Sequence, residues 1–429
     1  MAGVLATGVL MLLLLGSGVW VAVALGTAGF VGLVMKLGVD RVISFFGKIA
    51  WEQNTNFVLI AVPLFIFMGE ILFRAGIMAR IYTNAAKLVS FLPGGLLQTN
   101  IAACTMFAAC SGSSVASAAT IGSVGYPLIV PRGYDRPMAL GSIAAGGTLG
   151  ILIPPSIIFI IYGSLAEVSI GKLFLAGVFP GVMLATFYGV YIAARALINP
   201  AVAPKEKPES FGEMVGAFFR LWQVLLLAVV ILGGIYGGVA SPTEVAGLGA
   251  MLSLIFAITS RKLTWEVIKV AGLSSIRQTA MILFIIMTAK LLSLVLIYYQ
   301  LPNALVDWIN SVGASALSVI LLVCAIYLFM GMFFDGVSMM VITIPFVVPI
   351  MQVLNVDLIW LGVLICLMIE VGLLTPPVGL NLYVLQGATN EPLRDIIVGS
   401  LPFILLQFLA VIIVLTFPAM AVWLPNTMF

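Results

Sequence analysis

The 429-residue sequence contains no histidine and few charges, with only 8% of its residues being Asp, Glu, Lys or Arg. The lack of histidine excludes a Ser-His-Asp triad, a histidine-ligated zinc site and an imidazole proton relay. There is no phosphate-binding loop of the GxxxxGK[ST] type, so the chain is not expected to hydrolyse ATP. The net charge of +3 does not require a nucleic-acid partner. These absences predict a protein that is not an enzyme and that uses neither ATP nor nucleic acid.

Cysteine is also scarce, and what dominates instead is apolar sequence. The four cysteines lie in apolar segments without the spacing of a disulfide framework, which indicates small core residues: Cys104, Cys110, Cys324 and Cys366. No basic segment precedes the first apolar run, which argues against a cleaved signal peptide. Apolar residues make up 62% of the chain and the mean hydropathy is +1.24. This composition is typical of a multi-pass protein of the lipid bilayer.

One motif, a polar tip followed by a proline-containing break, occurs twice. The first copy reads ACSGSSVASAATIGSVGYP and then GGTLGILIPPS, and the second reads FFDGVSMMVITIPFVVP and then EVGLLTPPVGL. The spacing from Pro127 to Pro154 equals the spacing from Pro349 to Pro376. Polar or irregular backbone at membrane depth is tolerated only where it is buried in protein or lines a cavity. Paired interruptions in two halves of a chain therefore indicate the binding site of a transporter.

The order of apolar segments predicts an all-α polytopic membrane protein with an inverted structural repeat, two re-entrant helical hairpins and two broken transmembrane helices. We expect a first repeat at 1–198, a cytoplasmic linker at 199–220 and a second repeat at 221–429. The first repeat should comprise scaffold spans (1–73), an interfacial amphipathic arm (36–56), a hairpin (95–130) and a broken helix (138–165). The second should comprise scaffold spans (221–299), a hairpin (313–353), a broken helix (358–388) and a last span (396–418).

The distribution of lysine and arginine predicts that the two hairpins enter the membrane from opposite sides. The first hairpin is followed by Arg132 and Arg136, whereas the second is flanked by Asp307 and Asp357 with no basic residue. Because basic loops stay in the cytoplasm, the first hairpin should open from the cytoplasm and the second from outside. The basic residues of the 36–56 segment do not fit this orientation.

The tips and breaks are predicted to hold Na⁺ and an anionic substrate. Unwound turns expose carbonyl oxygens that suit a hard cation, while half-helix N-termini suit an anionic group. The candidate Na⁺ ligands are Ser111, Ser113, Ser114, Gly147, Thr148, Gly150, Asp335, Gly336, Ser338, Gly372 and Thr375. A charge at mid-membrane is costly and usually functional, which singles out Asp335. The structural alternatives are close helix packing by small residues and simple proline kinks; repetition at matching positions favours the site.

Three further charges are given structural interpretations. Lys290 and Glu370 both lie in apolar segments and are predicted to form a structural ion pair with each other, with a role in transport coupling as the alternative. Glu244 follows Ser-Pro-Thr and is predicted to cap a helix at the membrane interface, with a functional role as the alternative.

At these residues the chain resembles the large membrane (permease, M) subunit of tripartite ATP-independent periplasmic (TRAP) transporters. The resemblance covers essentially the whole chain, and the sequences that carry it are CSGSSVASAATIG, GGTLGILIPPS, SPTEVAG, FFDGVSMMVITIPFVVP and GLLTPPVGLN. The combination is specific, although each piece alone is not.

The resemblance implies a protein of the bacterial inner membrane that imports an organic acid by an elevator mechanism coupled to Na⁺. The acid would be a C4-dicarboxylate, a sialic acid or another sugar acid or carboxylate. The implied partners are a small membrane subunit (Q) and a periplasmic substrate-binding protein (P), and the implied neighbours of the substrate are Ser111, Ser156 and Asp335. Two alternatives stay open: a stand-alone Na⁺/carboxylate symporter or anion carrier that needs no binding protein, and an ion channel.

Overall fold

A computed structural model describes residues 2–205, 208–301, 304–305, 307, 311 and 313–428. All regular secondary structure in these residues is helical, as the sequence predicts. Within them, eight helical segments are long and apolar enough to cross a membrane, or nine if one bent helix pair counts as a single span. Positions 206–207 of the expected linker, and the end positions 1 and 429 of the expected repeats, lie outside the described residues.

The first half of the chain begins with scaffold helices and continues with a hairpin and a broken helix. Its helices are α1 (Ala2–Gly16), α2 (Val21–Leu37), α3 (Val39–Asn54), α4 (Ala61–Arg74), α5 (Ile77–Leu88), α6 (Leu96–Ser111), α7 (Ser114–Ile129), α8 (Arg136–Leu152), α9 (Ile157–Ala166) and α10 (Ile170–Ile198). Two short 3₁₀ helices, Phe57–Ile60 and Val130–Arg132, precede α4 and α8.

The second half shows the same order. Its helices are α11 (Phe211–Arg220), α12 (Trp222–Tyr236), α13 (Pro242–Thr259), α14 (Trp265–Tyr298), α15 (Ala316–Gly331), α16 (Gly336–Val353), α17 (Leu358–Leu374), α18 (Leu380–Thr389), α19 (Leu393–Thr416) and α20 (Ala419–Met428). The final helix was not expected from the sequence; its Trp423 ring packs 5.7 Å from that of Phe179 on α10.

Two helical hairpins are present where the polar tips were located. Helices α6 and α7 have 16 residues each. At about 1.5 Å per residue each arm spans about 24 Å, which is shorter than the hydrocarbon core of about 30 Å. Gly112 turns the chain between them in the left-handed conformation, with φ 60°. In the second hairpin, α15 and α16 are joined by residues 332–335.

Two helices are interrupted at the proline pairs. The first break separates α8 from α9 at residues 153–156, and the second separates α17 from α18 at residues 375–379. Proline lacks an N–H and clashes with the preceding turn, so neither helix can continue through its break. Both breaks contain a cis peptide bond, Pro154-Pro155 and Pro376-Pro377.

The two repeats interlock around a buried centre. Helices α8 and α17 are buried over nearly their whole length, and they form the middle of the molecule. The second arm of each hairpin packs on the half-helix of the other repeat, α7 on α18 and α16 on α9. Each hairpin is therefore supported by both halves of the chain.

The expected linker (199–220) and the expected interfacial arm (36–56) each contain a helix. Helix α11 occupies the end of the expected 199–220 linker, starts with a capping box between Ser210 and Glu213, and packs on α5. The capping box satisfies two otherwise unpaired N–H groups, which explains why a helix forms there. Helix α3 lies within the expected 36–56 arm and buries Val42 and Ile49 against its neighbours.

Glu244 is a helix cap, as predicted. It closes a capping box at the start of α13, accepting the Ser241 N–H at 2.7 Å while the Ser241 hydroxyl accepts the Glu244 N–H at 3.3 Å. We expect Ser241→Ala to lower the free energy of unfolding by about 1 kcal/mol, measured as a lower melting temperature of the purified protein in nanodiscs. Glu244→Gln is the matched control, because glutamine also closes a capping box. Equal melting of Ser241→Ala and wild type would contradict the assignment.

Candidate functional site

Both hairpin tips open onto one cavity of about 430 Å³ in the middle of the fold. The first tip contributes Ser113 and Ser114, and the second contributes Asp335 and Gly336. The opposite wall includes Gln278, which belongs to the long scaffold helix α14. The two polar tips thus face one shared space, although Ser113 and Asp335 are 222 residues apart in the sequence.

Four helix N-termini converge on this cavity. The first residues of α7, α9, α16 and α18 all line it: Ser114, Ile157, Gly336 and Leu380. A helix N-terminus presents unpaired N–H groups and a partial positive charge, so it attracts an anion. None of the described residues that line the cavity is a lysine or arginine. The arrangement therefore offers an anionic group backbone N–H donors rather than a fixed cationic side chain.

The first tip is held by a set of short serine contacts. The Ser111 hydroxyl lies 3.3 Å from that of Ser117, and the Ser117 hydroxyl donates to the Ser113 carbonyl at 2.8 Å. Ser111 and Ser113 also line an adjoining cavity of about 170 Å³ that faces the scaffold. The Ser114 hydroxyl donates to Oδ1 of Asn381 at 3.4 Å, which ties the first tip to the second broken helix. These hydroxyl and carbonyl oxygens are the ligand type that an alkali ion prefers.

In the second tip, Asp335 caps α16. Its carboxylate accepts the N–H groups of Val337 at 3.0 Å and Ser338 at 3.1 Å, and it also accepts the Ser338 hydroxyl. An N-cap of this kind satisfies orphan N–H groups of the first turn. An ionised carboxylate has about four lone-pair positions, so further acceptor capacity remains on the cavity side. Asp335 is therefore both a helix cap and the one acidic residue among the described cavity-lining residues.

The candidate glycines allow the breaks and tips to pack closely. A methyl group on Gly150 would lie 2.9 Å from the Ser113 carbonyl oxygen, and one on Gly147 would lie 2.8 Å from the Ala118 side chain. A methyl group on Gly372 would lie 2.5 Å from Cα of Gly331, the last residue of α15. The first broken helix therefore contacts the first tip, and the second contacts the second hairpin.

Three other candidates point elsewhere. Thr148 is fully buried and accepts a hydrogen bond from Gln407 of α19 at 3.1 Å, away from either tip. The Thr375 hydroxyl donates to the Val371 carbonyl at 2.6 Å within its own helix. Ser156 is buried and caps α9, accepting the Phe159 N–H at 3.3 Å. None of these three is among the residues that line the 430 Å³ cavity.

Two polar residues beside the tips were missed by the sequence interpretation. Asn381 is fully buried, and its Nδ2 has no hydrogen-bond partner among the described residues. Gln278 faces both tips, and its Nε2 donates to Ser274 at 3.1 Å and to Glu70 at 3.4 Å. Asn381 lies in the sequence Gly379-Leu380-Asn381, directly after the second break, and this position next to a proline pair could have identified it. Gln278 lies in an unbroken helix and carries no such signal.

Helices α4 and α14 carry a charged network beside the first tip. Glu70 of α4 accepts from Arg74 Nε at 2.9 Å and from the Ser274 hydroxyl at 2.6 Å. The preceding residue, Gly69, lets the tip approach closely, since a methyl group there would lie 3.2 Å from Cα of Ser111.

The predicted ion pair between Lys290 and Glu370 is wrong. Nζ of Lys290 lies 3.8 Å from Oε1 of Glu167, whose side chain is 84% exposed. Glu370 is fully buried, and neither of its carboxylate oxygens has a hydrogen-bond partner among the described residues. Lys290 pairs with Glu167 because that residue lies at the exposed end of α9, where pairing needs no buried charge.

Comparison with known proteins assigns the family. The model of the tripartite ATP-independent periplasmic transporter DctM component matches residues 8–420. The chain is 36% identical over 406 residues to the C4-dicarboxylate TRAP transporter large permease protein DctM of Pseudomonas aeruginosa, covering 94% of each chain. It is 31% identical over 409 residues to the isethionate TRAP transporter permease protein DctMQ of Oleidesulfovibrio alaskensis, covering 93% of this chain and 62% of that one.

The fold is shared more widely than the sequence. The crystal structure of the Alcanivorax borkumensis YdaH transporter superimposes with a TM-score of 0.66 at 15% identity, covering 99% of each chain. Likeness at this level of identity concerns the fold alone. The family match and the identity to DctM, in contrast, extend over nearly the whole sequence. The chain therefore belongs to the DctM component family of the tripartite ATP-independent periplasmic transporters, multi-pass proteins of the bacterial inner membrane.

Proposed function

We propose that this chain carries an organic carboxylate into the cell, driven by Na⁺, and that the substrate binds in the 430 Å³ cavity between the two tips. The observation that carries the proposal is the convergence of four helix N-termini and both tips on that space. Its volume falls within the range of about 300–1,000 Å³ that is usual for small-molecule sites. The N-termini of α7, α9 and α18 attract the carboxylate, while Asp335 and the tip oxygens attract Na⁺.

Na⁺ and substrate would bind in a coupled manner. A cation at the first tip would fix Ser113 and Ser114, which line the cavity at the start of α7. A cation at the second tip would offset the charge of Asp335, which otherwise repels a carboxylate. Each ion would thus raise the affinity for substrate, and by linkage the substrate would raise the affinity for each ion.

The substrate class is a carboxylate such as a C4-dicarboxylate, a sialic acid or another sugar acid. The names of the two relatives specify a C4-dicarboxylate and isethionate, which are both organic anions. No basic side chain selects the anion within the described lining, so the cavity fits a class of anions rather than one acid. We infer that a periplasmic binding protein performs much of the selection and that a small membrane subunit completes the complex.

The cavity has one wall formed by the tips and broken helices and another formed by α14, and an elevator motion is consistent with these two walls. The hairpins and broken helices would move together, and the scaffold helices α4 and α14 would stay fixed. The close approach of Ser111 to Gly69 offers a smooth surface on which the first tip could slide. The Glu70 network lies directly beside this contact and would form the fixed polar wall of the pathway.

The proposal is tested in proteoliposomes that contain this chain and its small membrane subunit. We expect uptake of a radiolabelled carboxylate only when an inward Na⁺ gradient and a substrate-loaded binding protein are both present. Replacing Na⁺ with choline at equal ionic strength should reduce uptake to the level of empty liposomes. Uptake that persists without Na⁺ would contradict the coupling.

The same experiment tests the alternative of a stand-alone Na⁺/carboxylate symporter. Omission of the binding protein is the deciding condition. Na⁺-driven uptake at full rate without that protein would favour the stand-alone carrier, whereas its loss favours delivery by the partner. The family assignment supports the delivered mode, because the family description is tripartite and periplasmic.

A further inference from the structure

Glu370 is the only charged side chain that is buried among the described residues. It lies on α17, in the centre of the molecule, and is 0% exposed. Neither carboxylate oxygen has a hydrogen-bond partner in the part of the chain that the structure describes. An ionised carboxylate in a low-dielectric interior costs several kcal/mol unless it is paired. A position of this kind requires a compensating partner, and none of the nearby described side chains supplies a positive charge.

Three further polar side chains lie on the helices that pack against α17, each on a different helix. Gln407 of α19, Tyr188 of α10 and Thr148 of α8 are all fully buried. Nε2 of Gln407 donates to Oγ1 of Thr148 at 3.1 Å, which leaves Oε1 of Gln407 without a partner. The Tyr188 hydroxyl makes no hydrogen bond of good geometry among the described residues, but it lies within hydrogen-bonding reach of Gln407 and Thr148 and near the Glu370 carboxylate.

Helix packing fixes this group of residues at one level. Helices α8, α10, α17 and α19 all pack on one another. Nε1 of Trp360 donates to the Val414 carbonyl at 2.8 Å, which joins α17 and α19 about three helical turns from Glu370 and about two from Gln407. The bond between Gln407 and Thr148 then places α8 at the same depth. The four polar side chains therefore lie on four helices that pack directly against one another.

We propose that Glu370, Gln407, Tyr188 and Thr148 form a binding site for a monovalent metal cation, Na⁺, that is separate from both hairpin tips. One carboxylate and one monovalent cation leave the core neutral, which removes the cost of the buried charge. The remaining ligands are neutral oxygens of an amide, a phenol and an alcohol. No group of three or more His, Cys, Asp or Glu occurs among the residues described, so a divalent metal has no comparable set of ligands here.

The missing hydrogen bonds are themselves consistent with an ion. Oxygen atoms that coordinate the same metal ion lie farther apart than two oxygen atoms that are joined by a hydrogen bond. The Tyr188 hydroxyl lies near both Gln407 and Glu370, yet none of the carboxylate oxygens of Glu370, Oε1 of Gln407 and the Tyr188 hydroxyl makes a hydrogen bond of good geometry among the described residues. A water molecule could bridge them, but it would leave the charge of Glu370 uncompensated.

This cation would stabilise both broken helices from behind. Thr148 is next to Gly147, which packs on α7 beside the first tip. Glu370 lies one helical turn before the second break at residues 375–379. An ion that ties α8 to α17 would therefore hold the two breaks in a fixed relation. The inference stands apart from the proposed import, because ion binding here can be measured without transport.

The test is Na⁺-dependent melting of the purified full-length chain in nanodiscs, at constant pH, with choline chloride holding ionic strength constant. An Asp335→Ala background reduces the contribution of the second tip. In that background we expect NaCl to raise the melting temperature of the protein. Addition of Glu370→Gln should raise the Na⁺ midpoint at least tenfold and should lower equilibrium ²²Na⁺ binding by one ion per chain. Glu244→Gln is the control for loss of a carboxylate and should leave both readouts unchanged.

Two outcomes would overturn the site. One is an unchanged Na⁺ midpoint and unchanged ²²Na⁺ stoichiometry in Glu370→Gln. The other is stabilisation that follows pH but not Na⁺, which would identify a proton as the partner of Glu370. Glu370→Gln should fold, since it removes a buried charge and should melt in choline at or above the wild-type temperature. If it does not fold, Gln407→Leu takes its place, with the same expected rise of the Na⁺ midpoint.

Discussion

Replacement of Asp335 by alanine should reduce Na⁺-driven uptake about ten- to a hundredfold at low Na⁺ concentration. The carboxylate is the one acidic group on the described wall of the cavity, and it caps α16 through Val337 and Ser338. Hydrogen bonds to a charged group contribute about 1.5–3 kcal/mol, and each 1.4 kcal/mol is a factor of ten. Initial rates in proteoliposomes, measured against Na⁺ concentration, should show a raised Na⁺ midpoint.

Two variants separate the loss of the charge from the loss of the cap. Asp335→Ser keeps a good N-cap without the charge, so it should recover melting temperature but not Na⁺ affinity. Asp357 is a matched control, because it caps α17 by accepting from Ile359 at 2.7 Å and from Trp360 at 3.0 Å. Asp357 is not among the cavity-lining residues. If Asp357→Ala weakened Na⁺ dependence as much as Asp335→Ala, the assignment of Asp335 to ion binding would be lost.

The largest effect on folding is expected from Gly399. A methyl group there would overlap the Pro137 carbonyl oxygen, and one on Gly141 would overlap the Gly399 carbonyl oxygen. Helices α8 and α19 therefore pack backbone against backbone, as small residues permit in membrane proteins. Because the clashing atoms belong to the main chain, Gly399→Ala must separate the two helices. We expect a cost of about 3 kcal/mol, the upper end of the usual range for overpacking.

Melting in nanodiscs and the yield of monodisperse protein measure this effect. Gly247→Ala is the matched control, since it also lies inside an apolar helix but has no atom within 4 Å of the added methyl group. That control should be neutral or slightly stabilising because alanine is the better helix former. Melting of Gly399→Ala within error of Gly247→Ala would show that the contact between α8 and α19 is not as close as described.

The sequence was sufficient to locate the tips and the breaks, because the signals there are local. A proline pair ends a helix wherever it occurs, and polar residues in an apolar run must face protein or water. The capping boxes at Ser241 and Ser210 are equally local. The capping box at Ser241 predicted the role of Glu244 correctly. The capping box at Ser210 would have predicted α11, which the interpretation of 199–220 as a polar linker missed.

The direction of side chains inside the buried helices could not be predicted. Helix α8 is apolar or small on every face, so its periodicity does not show which face meets the tip. Thr148 was assigned to the tip but faces α19. Lys290 was paired with Glu370 because both were isolated charges in apolar sequence, whereas the fold brings Glu167 to it. Such partners depend on packing between distant segments, which a single sequence does not specify.

The described wall of the cavity has no lysine or arginine, and this has a consequence for an energised membrane. A fixed cation would allow an anion to cross alone and dissipate its gradient. Under the proposed function the compensating charge comes from Na⁺ in solution, so an anion without Na⁺ meets helix N-termini that carry only a partial positive charge and is repelled by Asp335. Each Na⁺ in excess of the charge of the substrate would then move inward with the membrane potential, gaining about 2.3 kcal/mol per 100 mV. We therefore expect this wall to limit leak of the anion and to let voltage assist accumulation.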